Sequence, residues 1–196
     1  MLMGVVVLIA FAQCGGAKKE DSAEASETAE QASGSAATAE ATAPQFEVDA
    51  AFKEQVGRIF SAYLKVKDAF VASDPGKVKE EATMVKKILR AVDPKMISGA
   101  ALNDWSNYAG NIDLALAEIL NTDDIEIQRK AFSALSDNLY KSIKAYGLGT
   151  VTAYYEFCPM AFNDQGAYWL SDSKEIRNPY FGDKMLTCGR VAETLQ

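Results

Sequence analysis

Residues 52–70 read FKEQVGRIFSAYLKVKDAF, and within them Phe52, Val56, Ile59, Phe60, Tyr63, Val66 and Phe70 recur at steps of three and four. That spacing places them on one face of a helix. Ser73-Asp74-Pro75 closes this helix and opens another, because Asp caps a helix and Pro fits its first position. The second helix turns Val78, Ala82, Val85, Leu89 and Val92 toward a core and carries Lys and Glu outside. Asp93-Pro94 repeats the cap-and-proline signal ahead of a third apolar face, made of Ile97, Ala101, Trp105, Tyr108, Ile112, Leu116 and Ile119. Gly99 and Gly110 weaken that helix. Asp123 to Glu126 has the spacing of a capping box, with Asp in place of Ser or Thr. A fourth face follows with Ile127, Ala131, Leu135, Leu139 and Ile143, and Gly147 with Gly149 ends it. Four amphipathic helices joined by short loops imply antiparallel neighbours. The expected fold is therefore mainly α, an up-down-up-down four-helix bundle, with Trp105 as its core anchor.

Past Gly149 the pattern changes. Thr150 to Phe157 is rich in β-branched and aromatic residues and reads as a strand. Ala167 to Leu170 reads as a second strand, with Asn163-Asp164-Gln165-Gly166 as the turn between them. Asn178-Pro179 and Phe181-Gly182 are further turns, and Lys184 to Val191 reads as a short helix. Eight of the 28 residues from Tyr154 to Phe181 are aromatic, which suits an irregular segment with a short β-hairpin packed on the bundle.

Working toward the other end, Val5 to Ala12 is apolar but only 8 residues long, where a membrane span needs roughly 20. It runs into Phe11-Ala12-Gln13-Cys14-Gly15-Gly16, which looks like a bacterial lipoprotein signal. Two details depart from that pattern: no Lys or Arg precedes the run, and Gln13 stands where a smaller residue is usual. Residues 1–13 are then the signal peptide and Cys14 the lipidated first residue. From Gly15 to Pro44 the chain has no aromatic and no branched aliphatic residue, and Lys18 and Lys19 face six acidic side chains. Such a segment cannot offset its ordering entropy by burial. The expected layout is a disordered acidic tether at 14–45 and a folded domain at 46–196. The protein would be held to the membrane by lipid alone, facing the periplasm or the cell surface.

The chain of 196 residues has a net charge of −7 and no histidine. The charge argues against a nucleic-acid partner, which requires a basic surface to displace counterions. Without histidine there is no Ser-His or Cys-His catalysis and no imidazole-ligated metal. Glu156 and Asp164 read as solvated loop carboxylates, so no general base is evident and no enzymatic activity is expected. The chemistry lies instead in Cys158-Pro159-Met160 and Met185-Leu186-Thr187-Cys188. Proline holds the first motif in a turn or extended form, and a helical turn would put Met185 and Cys188 on one face. Converging, Cys158, Met160, Met185 and Cys188 form a soft donor set suited to Cu(I) or Ag(I), with Trp169 as a ring that could cap the ion. The competing reading is a Cys158–Cys188 disulfide, since exported cysteines commonly pair.

The run from Cys158 to Ser171, then Glu175 to Gly182 and Met185 to Gly189, resembles the signature of a bacterial domain of unknown function. That family occurs alone in lipoproteins and at the C-terminus of periplasmic adaptor subunits of copper and silver efflux pumps. Tyr63 to Ala69 and Asp124 to Leu135 fit it as well, so the resemblance spans residues 52–191. It implies heavy-metal handling and a pump adaptor as partner. Cys158-Pro159-Met160 also resembles the Cys-Pro-Met-His-Pro motif of metal-binding modules in such adaptors, but Ala161 and Phe162 replace its last two residues and the histidine ligand is missing. Two readings stand: a tethered Cu(I)- or Ag(I)-binding protein that buffers or transfers metal, and a disulfide-stabilised interaction module that binds none.

Overall fold

Aspartates start three of the four long helices. In the computed structural model, which describes residues 43–196, Asp49 accepts the Ala51 N–H at 2.8 Å and opens α1 (Ala50–Val71). Asp74 accepts the Lys77 N–H at 2.9 Å and opens α2 (Pro75–Arg90), with Pro75 in the first turn as expected. Each such cap contributes about 1 kcal/mol. α4 (Ile125–Tyr146) departs from expectation by one residue. Its cap is Asp124, which accepts from Glu126 at 2.9 Å and Ile127 at 3.4 Å, so Asp123 forms no capping box. Glu126 turns instead to Arg129. Asp93-Pro94 does not open α3 (Gly99–Leu120) either. It opens a single 3-10 turn, Pro94–Met96, and α3 follows Ser98, whose side chain makes no cap bond. α3 nonetheless runs unbroken through Gly110.

All seven apolar residues of the 52–70 face are at most 1% exposed. Each contributes roughly 1.5–3 kcal/mol by leaving water, which makes α1 the seam of the core. Helices adjacent in sequence pack on one another, and α4 also reaches α1. Ile127 is a correction to the expected fourth face, because it is 55% exposed. Gln128 takes the inward place in that first turn, donating from Nε2 to Thr122 O at 2.9 Å and Ile119 O at 3.3 Å. A buried amide there satisfies carbonyls at the α3–α4 corner that an isoleucine would leave unpaired.

The C-terminal segment forms a three-stranded antiparallel sheet, ordered β2-β1-β3: β1 (Ala153–Cys158), β2 (Ala167–Ser171) and β3 (Arg190–Leu195). The expected hairpin is β1–β2, in register from Tyr154↔Ser171 to Cys158↔Ala167. The helix expected over Lys184 to Val191 is absent; a 3-10 turn (Gly182–Lys184) leads through a loop into β3. β3 pairs with β1 from Ala153↔Leu195 to Phe157↔Arg190, with a register shift between Tyr155 and Glu156. Glu193 fastens it to α4, accepting from Tyr140 Oη and Lys144 Nζ, both at 2.6 Å. Buried Tyr63 joins α1 to both layers: its hydroxyl bonds Ser136 Oγ at 2.7 Å and accepts the Leu170 N–H at 3.1 Å. The mainly helical fold with a small sheet at its C-terminus stands.

The signal peptide at 1–13, Cys14 and all but the last residues of the 14–45 tether lie outside the described residues. Ordered contacts begin slightly before residue 46. Gln45 N–H donates to Lys144 O at 3.2 Å, and Phe46 N–H donates to Ala145 O at 2.8 Å. No helix among the described residues is long and apolar enough to cross a membrane.

Candidate functional site

β1 delivers Cys158 to the buried end of the sheet, and the loop before β3 delivers half-buried Cys188. Since Phe157 pairs with Arg190, the two side chains meet, and their Sγ atoms are 3.2 Å apart with both thiols free. The neighbouring Cys158 sulfur, together with partial burial, pushes the Cys188 thiol up from its ordinary range. Met185 and Cys188 do not share a helical face: Met185 has non-helical backbone angles, φ −150° and ψ 52°, and only a single turn, closed by Cys188 N–H to Met185 O, joins the two. Trp169 is fully buried and stands edge-on to Tyr180 at 6.0 Å. The tip of its ring lies against Gly189, so its role here is packing beside the cysteine pair.

Met160 and Met185 are found in a different place. Both line an open cleft of about 500 Å³ whose lining includes neither cysteine. α4 supplies Glu126 and Lys130 to one wall, and Phe162, Tyr180 and Phe181 supply rings. Met160 is 43% exposed. The floor is the short turn Ala161–Asp164, in which Phe162, Asn163 and Asp164 all have positive φ, at 54°, 58° and 63°. Left-handed backbone at a residue other than glycine costs of order 1–3 kcal/mol, so the surroundings must hold it. Phe162 does so by packing edge-on against Tyr180 at 5.3 Å. Gly166 closes the turn at φ +79°, where a Cβ would lie 2.5 Å from the Phe157 ring. The side chains of Asn163 and Asp164 are exposed and make no hydrogen bond among the described residues. The expected turn at 163–166 is thus present, but its handedness and its place on the cleft were not readable.

Much of the remaining C-terminal motif serves to dock this cleft on the helices. Asn178 Oδ1 accepts the Tyr180 N–H at 2.8 Å, and its Nδ2 donates to Cys188 O at 2.7 Å. Tyr180 Oη donates to Tyr168 O. Gly182, at φ +54°, presses on the end of α1, where a Cβ would strike Ser73 Oγ and sit 3.0 Å from Val71 O. Arg129 gathers these pieces: Nε donates to Pro179 O at 3.0 Å, Nη2 to Ser73 Oγ at 2.9 Å, and Nη1 pairs with Glu126 at 2.6 Å. Nothing in the sequence marks Arg129, which sits in an ordinary helical pattern.

Glu156 is the second residue the sequence reading missed. It is in β1 and fully buried, not solvated, whereas Asp164 is exposed as expected. Neither carboxyl oxygen has a hydrogen-bond partner among the described residues, nor does Nε1 of Trp169, its cross-strand neighbour. Burial pushes the carboxyl from 4.5 up to about 7, aided by Asp172 and opposed by Lys67 and the Trp169 indole. The folded state therefore binds the proton more tightly than the unfolded chain. Its stabilising contribution is complete below 4.5 and is lost as pH rises through about 7, a change of about 3 kcal/mol. Urea midpoints should accordingly fall more between pH 5 and pH 8 in the natural protein than in Glu156→Gln. Parallel profiles for the two would contradict this.

Residues 59–150 match the family model described as protein of unknown function (DUF3347). That stretch of the chain is similar to this family. No curated protein and no solved structure matches the chain. The DUF3347 match runs from within α1 to the turn before β1, so the cysteine pair and both cleft methionines lie beyond it. Among the described residues no group of three or more Cys, Asp or Glu is placed to hold a metal ion. Glu126 and Lys130 line the cleft at the start of α4, while Gln45 and Phe46 join the domain at the end of the same helix. At 1.5 Å per residue, these points are about 27 Å apart.

Proposed function

We propose that this protein is a lipid-anchored module of the cell envelope, stapled by a Cys158–Cys188 disulfide. Residues 1–13 are the signal peptide, Cys14 carries the lipid, 14–45 form the acidic tether, and 46–196 face the periplasm or the cell surface. The helices form an up-down-up-down four-helix bundle, a reading supported by their short connections and by the packing of sequential neighbours. The module is not an enzyme and binds no nucleic acid. Its partner is a periplasmic adaptor of a heavy-metal efflux pump.

The single observation that carries this reading is the 3.2 Å approach of the two sulfurs. Oxidation shortens that contact to about 2.05 Å, a small adjustment of two side chains. In the chain-entropy account a bridge across 30 residues stabilises by about 3–4 kcal/mol. The alternative, Cu(I) or Ag(I) held by Cys158, Met160, Met185 and Cys188 together, requires the cysteines and the cleft methionines to converge.

Thiol counting on protein from the membrane fraction tests the proposal. No reactive thiol should be found in the domain, and Cys188→Ser should lower its unfolding free energy by about 3–4 kcal/mol. Cys14→Ser should move the protein to the soluble fraction. Two reactive thiols, with stability unchanged in Cys188→Ser, would sink the staple and favour the four-sulfur site.

A further inference from the structure

Packing does not account for Glu156. The residue is fully buried, and neither carboxyl oxygen has a hydrogen-bond partner among the described residues. A carboxyl taken from water on those terms destabilises a fold and calls for a reason. Its surroundings supply one. Strand alternation places Glu156 and Cys158 on the same face of β1, about 7 Å apart along the strand and within reach of a glutamate side chain. Trp169 stands opposite Glu156 on β2, and the tip of its ring reaches Gly189, next to Cys188 on the other side of β1. The ring therefore crosses this face of the strand. Lys67 and Tyr63 face the carboxyl from α1, and Asp172 faces it from the end of β2. Lys67 is already paired with Asp68 at 3.1 Å.

The two sulfurs differ in access. Cys158 is 0% exposed, whereas Cys188 is half-buried in the loop before β3. An external thiolate can reach Cys188 alone. We infer that Cys158 and Cys188 form an exchange-active couple for a dithiol of the cell envelope, with Cys188 the sulfur attacked, Cys158 the leaving sulfur and Glu156 its proton donor. The inference rests on the proposed disulfide as the oxidised state.

The exchange runs in two displacements. A thiolate of the incoming dithiol attacks Cys188 Sγ; the new sulfur–sulfur bond forms as the Cys158–Cys188 bond breaks, and the electron pair leaves on Cys158 Sγ. A thiolate sealed from water is poorly stabilised, so Glu156 gives it a proton and becomes the carboxylate facing Lys67. Because burial holds that proton up to about 7, the acid is available at neutral pH and is stronger than an ordinary thiol at ~8.5. The second thiolate of the dithiol then attacks its own sulfur in the mixed disulfide and releases Cys188, which takes a proton from water. Glu156 regains its proton from water too. The domain is reduced by two electrons and the dithiol is oxidised to a disulfide. In reverse, the Glu156 carboxylate takes the proton from Cys158 as that thiol attacks a mixed disulfide on Cys188.

The test uses oxidised protein from the membrane fraction, reduced by dithiothreitol between pH 6 and pH 9, beside Glu156→Gln. The natural protein should react at least about tenfold faster than the variant at pH 6, the lower end of general acid catalysis, and the ratio should fall toward one by pH 9. Dithiothreitol's own ionisation cancels in that ratio, and a merely structural effect of the substitution would not follow the carboxyl's titration. On unsubstituted protein, glutathione trapped by acid quench should be found on Cys188 and not on Cys158. A pH-independent ratio, glutathione on Cys158, or a disulfide reduced only when the domain unfolds overturns the inference and leaves the staple standing. Thiols found free in the isolated protein, but joined by oxidised glutathione with these same signatures, overturn the staple alone. Free thiols that oxidised glutathione does not join overturn both.

Discussion

Replacing Arg129 with alanine is expected to lower the unfolding free energy by about 3–5 kcal/mol, the range for breaking a buried charge-paired network. Its side chain is 5% exposed and serves four partners on three parts of the chain. Within α4 it pairs with Glu126, at the end of α1 it meets Ser73 Oγ and Phe70 O, and in the C-terminal segment it holds Pro179 O. Alanine strands buried carbonyls at a place where water cannot easily reach them. Lysine should restore little, because a point charge cannot reproduce the fork that spans Pro179 and Ser73. Amide exchange should accelerate from Asn178 to Lys184, because this turn loses its anchor on the helices. A change of less than about 1 kcal/mol in the alanine variant, by urea unfolding, would show that the C-terminal segment docks without it.

The second large effect is at the opposite end. Trp105→Ala should cost about 3–5 kcal/mol, as for other large-to-small changes at buried aromatic sites. Trp105 is 4% exposed and sits edge-on to Phe52 at 5.3 Å and to Tyr146 at 5.9 Å. Phe52 and Tyr146 close the triangle at 5.2 Å, and Phe46 stacks on Tyr146 at 5.6 Å. The cavity would thus open where the chain enters the domain. Trp105→Ala and Phe52→Leu should be non-additive, because both empty the same space. Strict additivity in a double-mutant cycle would count against a single aromatic cluster.

Not all of the polar interior serves stability. Glu156 and Arg129 are both buried, yet Arg129 is fully engaged and Glu156 has no hydrogen-bond partner among the described residues. The first is a fastening. The second should make the junction between sheet and helices less stable as pH rises through neutrality.

What the sequence determined by itself is the helical layer. The 52–70 face is fully buried as its periodicity implies, and Asp74-Pro75 and Gly147 bound helices where their backbone preferences put them. These signals are local: a helix face repeats within a few residues, and a cap acts on the next turn. In the helical layer local reading slipped by a residue or a turn, at Asp124, at Ile127 and at Pro94–Met96. The tertiary structure alone decided the rest. β3 is a strand because β1 offers it an edge and α4 offers Tyr140 and Lys144 to Glu193, partners about 50 residues away. The four sulfurs were legible as residues, but their division into a cysteine pair and a methionine-lined cleft was not. That division depends on a left-handed turn held by Tyr180 and on a docking site made by Arg129, and neither leaves a periodic mark on the chain.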